Sequence, residues 1–420
     1  MARTLDVYLH SHLAGQLIQD DGGQMGFKYV EDWLNTPSAT PLSQSLPLRK
    51  ERFSRRECRG FFAGILPEES KREIIAANLG ISARNDYAML EQIGGECAGA
   101  VTFIPPGQRL PEPNYGYREI SSHDLAGILR ELPKRPLLAG DEGIRLSLAG
   151  AQDKVALRIE GDEISLPLGG APSTHILKPS VERFAGIVFN EALCMNLAAA
   201  AGLPTAQVEV RSVEGIDYLL VKRYDRAHRQ VQGGKPVLER LHQEDFCQAQ
   251  GIVPEMKYQK EGGPSLKQCF GLLRDVSSAP VIDLARLLDA VIFNYLAGNN
   301  DAHGKNFSLL YRGAGREEQE IRLAPLYDIV STAYYPEISR NMAMKIGGEY
   351  VPEKVTPKDF ERLAEEAGLA KPIVRRRVPE LAGIVLSSLT KAQIPGPVGQ
   401  AVAALIRERC ENVKSSFKDR

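Results

Sequence analysis

The apolar period changes along this chain from two residues to 3.6, and that change admits only folds in which a sheet-rich part precedes a helix-rich part. Residues 3–20 alternate short apolar runs with turn residues, and "LDVYLHSHLAGQL" fits two strands joined by a polar turn. From Arg145 onward, "RLSLAGAQDKVALRI", "ISLPLGG" and "STHILKP" read as an antiparallel β region with a turn of small residues. "FNEALCMNLAAAAG" (189–202) reads as a helix closed by Gly202. "VEVRSVEGIDYLLVKRYDR" (208–226) reads as a hairpin. Beyond Val281 the pattern turns helical: Leu284, Leu287, Leu288, Val291, Ile292, Tyr295 and Leu296 fall on one face, and Gly298 ends the run. The C-terminal part is largely helical, as in "TPKDFERLAEEAGL", with Thr356 as N-cap and Pro357 in the first turn.

The N-terminal part is mixed. The Pro- and Ser-rich stretch 36–48 reads as extended surface chain. Residues 67–92 read as helices, one closing on Gly80, and 96–107 as a strand stopped by two prolines. Residues 122–132 read as an amphipathic helix, and the Pro-rich 133–143 as a boundary. The expected class is α+β: a two-lobed core, β-rich then helical, with an added N-terminal α/β subdomain. The expected boundaries are 1–140, 141–225 and 226–420.

Composition removes several classes. With 43% apolar and 25% charged residues among 420, the chain is neither disordered, collagenous nor a disulfide mini-protein. A net charge of -1 argues against a surface that is basic throughout and coats nucleic acid. Two local basic clusters survive that test, Arg49 to Arg59 and Arg375 to Arg377, and each alone reads as a solvated face. The six cysteines are scattered without metal-ligand spacing and fit buried free thiols in a reducing cytoplasm. No leader-like apolar stretch and no membrane-spanning run is visible, so the expected location is cytoplasmic, with no membrane partner.

"GNNDAHGKNFSLLY" (298–311) carries the chemistry. Asp301 and Asn306 stand five apart in a loop between an apolar helix and an apolar strand, the Asp-x4-Asn spacing of a kinase catalytic loop. Phosphoryl transfer needs a carboxylate to receive the nucleophile's proton and an amide oxygen to help hold Mg²⁺, and one short loop presents both. Asp328, in "LAPLYDIVS", is expected at a strand end as the second, metal-binding carboxylate. Lys178 ends "STHILKP" in the manner of the kinase phosphate-contacting lysine, with Glu191 on the next helix as a possible ion-pair partner. "SLAGAQDK" (147–154) is a turn whose backbone N–H groups suit phosphate; it is not a P-loop. A lobe-joining hinge falls at Lys222, Arg223 and Tyr224. Alone, each of these also has a bland reading, as a turn cap or a solvated lysine; their order in the chain is what points to phosphoryl transfer.

With these segments and with "FKYVEDWL", "LSQSLPL", "QEDFCQAQG" and "KYQKEGGP", the chain resembles the HipA family, the serine/threonine kinase toxins of bacterial toxin–antitoxin modules. The resemblance implies a kinase-like core and the cofactors ATP and Mg²⁺. It implies Asp301 as catalytic base, with Asn306 and Asp328 holding the metal. Lys178, the loop Ala149, Gly150, Ala151, Gln152, Asp153 and Lys154, the hinge Lys222 to Tyr224, the run His303, Gly304, Lys305 and Asn306, and Tyr327 with Asp328 would surround the nucleotide. Ser147 matches the family's autophosphorylated serine, whose modification ejects the loop and silences the kinase. Family substrates include aminoacyl-tRNA synthetases. The implied partners are a protein substrate, a small helix-turn-helix antitoxin resembling HipB, and operator DNA reached mainly through that antitoxin. Asp153 stands where the family commonly has Glu, and Lys222 and Tyr224 flank Arg223 where a Glu-Arg-Phe form also occurs. The rival readings are a small-molecule kinase and a corepressor that mainly binds antitoxin and DNA.

Overall fold

The computed structural model describes residues 2–108, 110, 116–230, 237–313, 319–394 and 396–417. The chain forms two compact units, each built from separate stretches. The first comprises Met1–Pro179, Arg211–Glu255 and Leu309–Glu320; the second Ser180–Val210, Met256–Ser308 and Ile321–Arg420.

In the first unit, the expected hairpin is present as Arg3–Leu9 paired antiparallel with His12–Gln19. Met25–Tyr29 and Val101–Ile104 extend it to a four-stranded sheet. Leu5, Val7, Leu17 and Phe27 point to its buried face. Phe62, on the helix Arg55–Gly64, meets Phe27 and Phe103 with ring centroids 5.2 and 5.9 Å apart. Gly15 leaves room for the Phe27 ring, since a Cβ there would lie 2.5 Å from it. A second sheet sets Ile216–Lys222, His175–Pro179, Val155–Glu160, Glu163–Pro167 and Tyr117–Glu119 side by side. The hairpin arm Val208–Val213 turns into Ile216–Lys222 through Glu214 and Gly215, both at positive φ.

Two expectations fail in this unit. The stretch 36–48 is not surface chain: Leu42, Ser43 and Leu46 are fully buried. Its backbone is satisfied by side chains, because the Tyr29 hydroxyl donates to the Leu46 carbonyl (2.6 Å) and accepts from the Leu42 N–H (2.9 Å). Residues 96–107 are two strands, not one. Gly99 breaks the run at φ 78°, and Glu96–Cys97 leaves to pair in parallel with Leu146–Ser147.

The second unit is helical. The helix Ile187–Ala200, expected as part of the β lobe, belongs here. It packs against Lys371–Leu389 and Gly396–Ser416. The helix Pro280–Ala297 buries Leu287, Leu288, Val291, Ile292 and Leu296 against Leu266–Val276 and the same C-terminal pair. Thr356 caps Pro357–Ala367 through a capping box with Asp359, as expected from Thr356 and Pro357. All six cysteines are free and buried, and burial pushes the thiols of Cys58, Cys97, Cys194, Cys269 and Cys410 up to about 12, so they are inert. No helix among the described residues is long and apolar enough to cross a membrane.

Candidate active site

The catalytic-type loop lies wholly in the second unit. Its entry is rigid. Gly298 ends the preceding helix at φ 69°, where a Cβ would lie 2.9 Å from that of Ala333. Asn299 donates to the Asn294 side chain (2.7 Å). The Asn300 N–H donates to Thr332 Oγ1 (2.8 Å), and its carbonyl accepts from the Ala343 N–H (2.7 Å). Asp301 follows, part-exposed, with its Oδ1 accepting from the Tyr258 hydroxyl at 2.8 Å. His303 and Asn306 bracket a single 3-10 turn: the His303 N–H donates to Asn306 Oδ1 (3.2 Å), and the Asn306 N–H to the His303 carbonyl (3.0 Å). The second half of the five-residue spacing is therefore one tight turn, with the Asn side chain folded back into it.

Asp328 is brought to this loop from 22 positions downstream: Asn306 Nδ2 donates to Asp328 Oδ2 at 3.1 Å. It is not at the strand end where it was expected. The strand stops at Leu323, and Pro325 lacks the N–H needed to continue it. Instead, Leu326 is pinned by Pro204 and Ala206 (both 2.8 Å), and Ser331 is clasped by Asn190 through bonds of 3.1 and 2.8 Å. Between these anchors Asp328 holds φ at +59°, a left-handed conformation that Asp tolerates better than most side chains and that recurs at functional positions. Tyr327 spends its hydroxyl on the loop, donating to the Lys305 carbonyl (2.7 Å) beside Ser308 Oγ (2.6 Å).

Glu191 lies on the helix Ile187–Ala200 of the second unit, and the remaining expected positions lie in the first unit. Lys178 is buried within the strand His175–Pro179, opposite Leu219. In the small-residue loop, Gly150 adopts φ +103°, its carbonyl accepts from the Glu68 N–H (3.3 Å), and Lys154 Nζ donates to the Ala149 carbonyl (2.6 Å). Asp153 is ion-paired with Lys71 at 2.6 Å. Ser147 is fully buried, its hydroxyl donating to the Ile65 carbonyl (3.0 Å). In the expected hinge, Arg223 turns its guanidinium into the interior, onto Glu96, Ser173, Cys97 and Asp225. Its N–H is taken by the Thr174 carbonyl (2.9 Å). Burial alone would raise the Glu96 carboxyl, but Arg226, Arg240 and Arg223 outweigh it and hold it below the usual carboxylate range. The side chain of Arg223 is a structural anchor.

Tyr258 was not singled out from sequence. Its only signal was its place in "KYQKEGGP", a segment marked by resemblance alone.

These elements, a β-containing unit with a small-residue loop and a helical unit presenting Asp-x4-Asn beside a second Asp, define a kinase-like α+β protein. The chain belongs to the HipA family of serine/threonine kinases: residues 5–104 match the HipA N-terminal domain and residues 146–389 the HipA-like C-terminal domain. It is 30% identical to the serine/threonine-protein kinase toxin HipA of Shewanella oneidensis over 91% of this chain and 89% of that protein. It is 49% identical to the Sinorhizobium fredii protein Y4mE over 90% and 89% of the two chains. The Shewanella oneidensis HipA, solved in complex with HipB and its operator DNA, superposes with a TM-score of 0.85 at 26% identity, covering 99% of each chain.

Proposed function

We propose that this chain is an ATP-dependent protein serine/threonine kinase acting as the toxin of a toxin–antitoxin module, with Asp301 as its catalytic base. The assembly of Asp301, Asn306 and Asp328 in one unit carries this reading. Asp301 receives the proton of the substrate hydroxyl, and the turn of His303 to Asn306 carries Asn306 on the same loop. Asn306 and Asp328 would hold Mg²⁺. One amide oxygen with one carboxylate is the small protein contribution this ion takes when substrate phosphates supply further oxygens. When bound, the ion would neutralise charge building on the phosphates. Lys178, the Ala149–Lys154 loop, the backbone of Lys222 to Tyr224, and the His303–Lys305 and Tyr327 positions would line the nucleotide. The segmentation 1–140, 141–225 and 226–420 is proposed as a functional division, which the two compact units cut across at the helix Ile187–Ala200; a cytoplasmic location, where six buried thiols stay reduced, goes with this reading.

Ser147 is the proposed autophosphorylation site. Its burial means the loop must leave before the serine can react, and a dianionic phosphate has no place in the closed position. The proposed partners are a HipB-like helix-turn-helix antitoxin, operator DNA mainly through it, and a translation-related protein substrate. Incubation with γ-labelled ATP tests the reading. The wild-type chain gains one phosphate at Ser147, and Asp301→Ala gains none while its unfolding midpoint stays within a few degrees. Label on Asp301→Ala removes Asp301 from its role; a wild-type chain that turns over ATP on a small molecule without gaining mass replaces the protein-kinase reading.

A further inference from the structure

We infer that Tyr258 is a positioning residue for Asp301, and that the loop Lys257–Pro264 exists to hold its hydroxyl against that carboxylate. The inference rests on Asp301 being the base. Tyr258 lies 43 residues before Asp301, and its hydroxyl donates to Asp301 Oδ1 at 2.8 Å. Its ring meets that of His303 in a T-shaped pair, with centroids 5.3 Å apart at 76°, so one side chain touches both ends of the Asp-x-His step.

The loop is wound for this purpose. The Gly263 N–H closes onto the Tyr258 carbonyl (2.9 Å), and the Glu261 N–H onto the same carbonyl (2.9 Å). Gly262 sits at φ +102°, and a Cβ on Gly263 would lie 2.4 Å from the Met256 carbonyl oxygen, so neither position accepts a side chain. Gln259 then docks the loop: its N–H donates to the Ala343 carbonyl (3.1 Å), and its Oε1 accepts from the Lys345 N–H (2.9 Å). Ala343 is the residue whose N–H holds the Asn300 carbonyl. Tyr258 and Asp301 are thus mounted on one frame.

The chemistry needs such a brace. The terminal torsion of an Asp side chain is broad, so the backbone alone does not fix the plane of the carboxylate. In the transfer, the serine oxygen bonds to the γ-phosphorus and the bond to the bridging oxygen breaks, its electron pair leaving on ADP. The serine proton passes to Asp301. Tyr258 keeps its own proton throughout; by holding Oδ1 it sets the direction in which the carboxylate meets the incoming hydroxyl.

Self-labelling of the full chain with γ-labelled ATP and Mg²⁺ tests this, using Tyr258→Phe, Tyr258→Leu and Asp301→Ala. For Tyr258→Phe the maximal labelling rate falls about tenfold or more, the scale of one charge-assisted hydrogen bond. The ATP concentration giving half-maximal rate stays within twofold and the unfolding midpoint within a few degrees. Tyr258→Leu, which also loses the ring, falls at least as far. The inference is overturned if Tyr258→Phe labels at the wild-type rate while Tyr258→Leu does not, because the ring alone then matters. It is overturned if Tyr258→Phe is faster, because the hydroxyl then blocks the base, or if rate, ATP dependence and midpoint fall together, as a structural defect would give. Label on Asp301→Ala, or none on the wild type, fails the reading beneath it instead.

Discussion

Asp328 combines two demands at one position: a carboxylate facing Asn306, and a backbone at φ +59° that most side chains resist. The two separate by substitution. Asp328→Asn keeps a side chain that tolerates the left-handed region and removes the charge, so phosphate transfer is lost while stability changes by less than about 0.5 kcal/mol. Asp328→Ala loses transfer as well and adds about 1 kcal/mol of backbone strain, visible as a lower urea midpoint. Ser147→Ala removes the bond to the Ile65 carbonyl and strands that acceptor in the interior, costing about 1 kcal/mol in the same measurement. An unchanged midpoint would mean the carbonyl finds another donor.

At the scale of elements, the strand His242–Asp245 carries two buried groups that titrate in opposite senses. Burial pushes Glu244 up to about 7 despite hydrogen bonds from Ser43, Tyr311 and the Gln44 N–H. Burial pushes His242 down to about 4, with Nε2 against the Leu42 carbonyl at 2.9 Å. Glu244 folds protonated, so its contribution is full below the unfolded value of 4.5 and is lost as pH rises through about 7. His242 folds neutral, so its contribution is full above 6.5 and is lost as pH falls through about 4. Between these limits the two slopes oppose and nearly cancel. Substitution unmasks each. In His242→Asn stability falls from pH 5 to 6.5; in Glu244→Gln it rises over the same range, each by at most about 1.4 kcal/mol per pH unit. Urea midpoints across that range, flat in both variants, would refute the pairing. This element also shows why the Pro- and Ser-rich stretch was misread. Its polar composition suggested solvent, but the partners that satisfy it lie on other elements: Tyr29 on a preceding strand, and Glu244 and Gln248 far along the chain.

Across the whole chain, the Glu96 network does what no local pattern announces. Its carboxylate is shared by Ser173 (2.7 Å), Arg223 (3.1 Å), Arg226 (2.7 Å) and Arg240 (2.6 Å), a network that with Glu96 spans just over a third of the sequence. Glu96→Ala leaves two buried guanidinium groups and the part-buried Arg240 short of a counter-charge, and the loss is expected at about 3–5 kcal/mol. A urea midpoint near that of the wild type would mean that water or Asp225 compensates.

Features written within a few residues were readable in the chain: the caps at Gly80, Gly298 and Thr356, the helical face of Leu284 to Leu296, and the Asp-x4-Asn turn. Propensity, capping and spacing act over one or two turns, so they survive without knowledge of the fold. The meeting of Asp328 with Asn306, the brace of Tyr258 on Asp301, the inward turn of Arg223 and the burial of Leu42 and Ser147 were not readable. Each joins residues distant in sequence, and which distant partners meet follows from how helices and sheets close on a shared core, where buried polar groups must find one another.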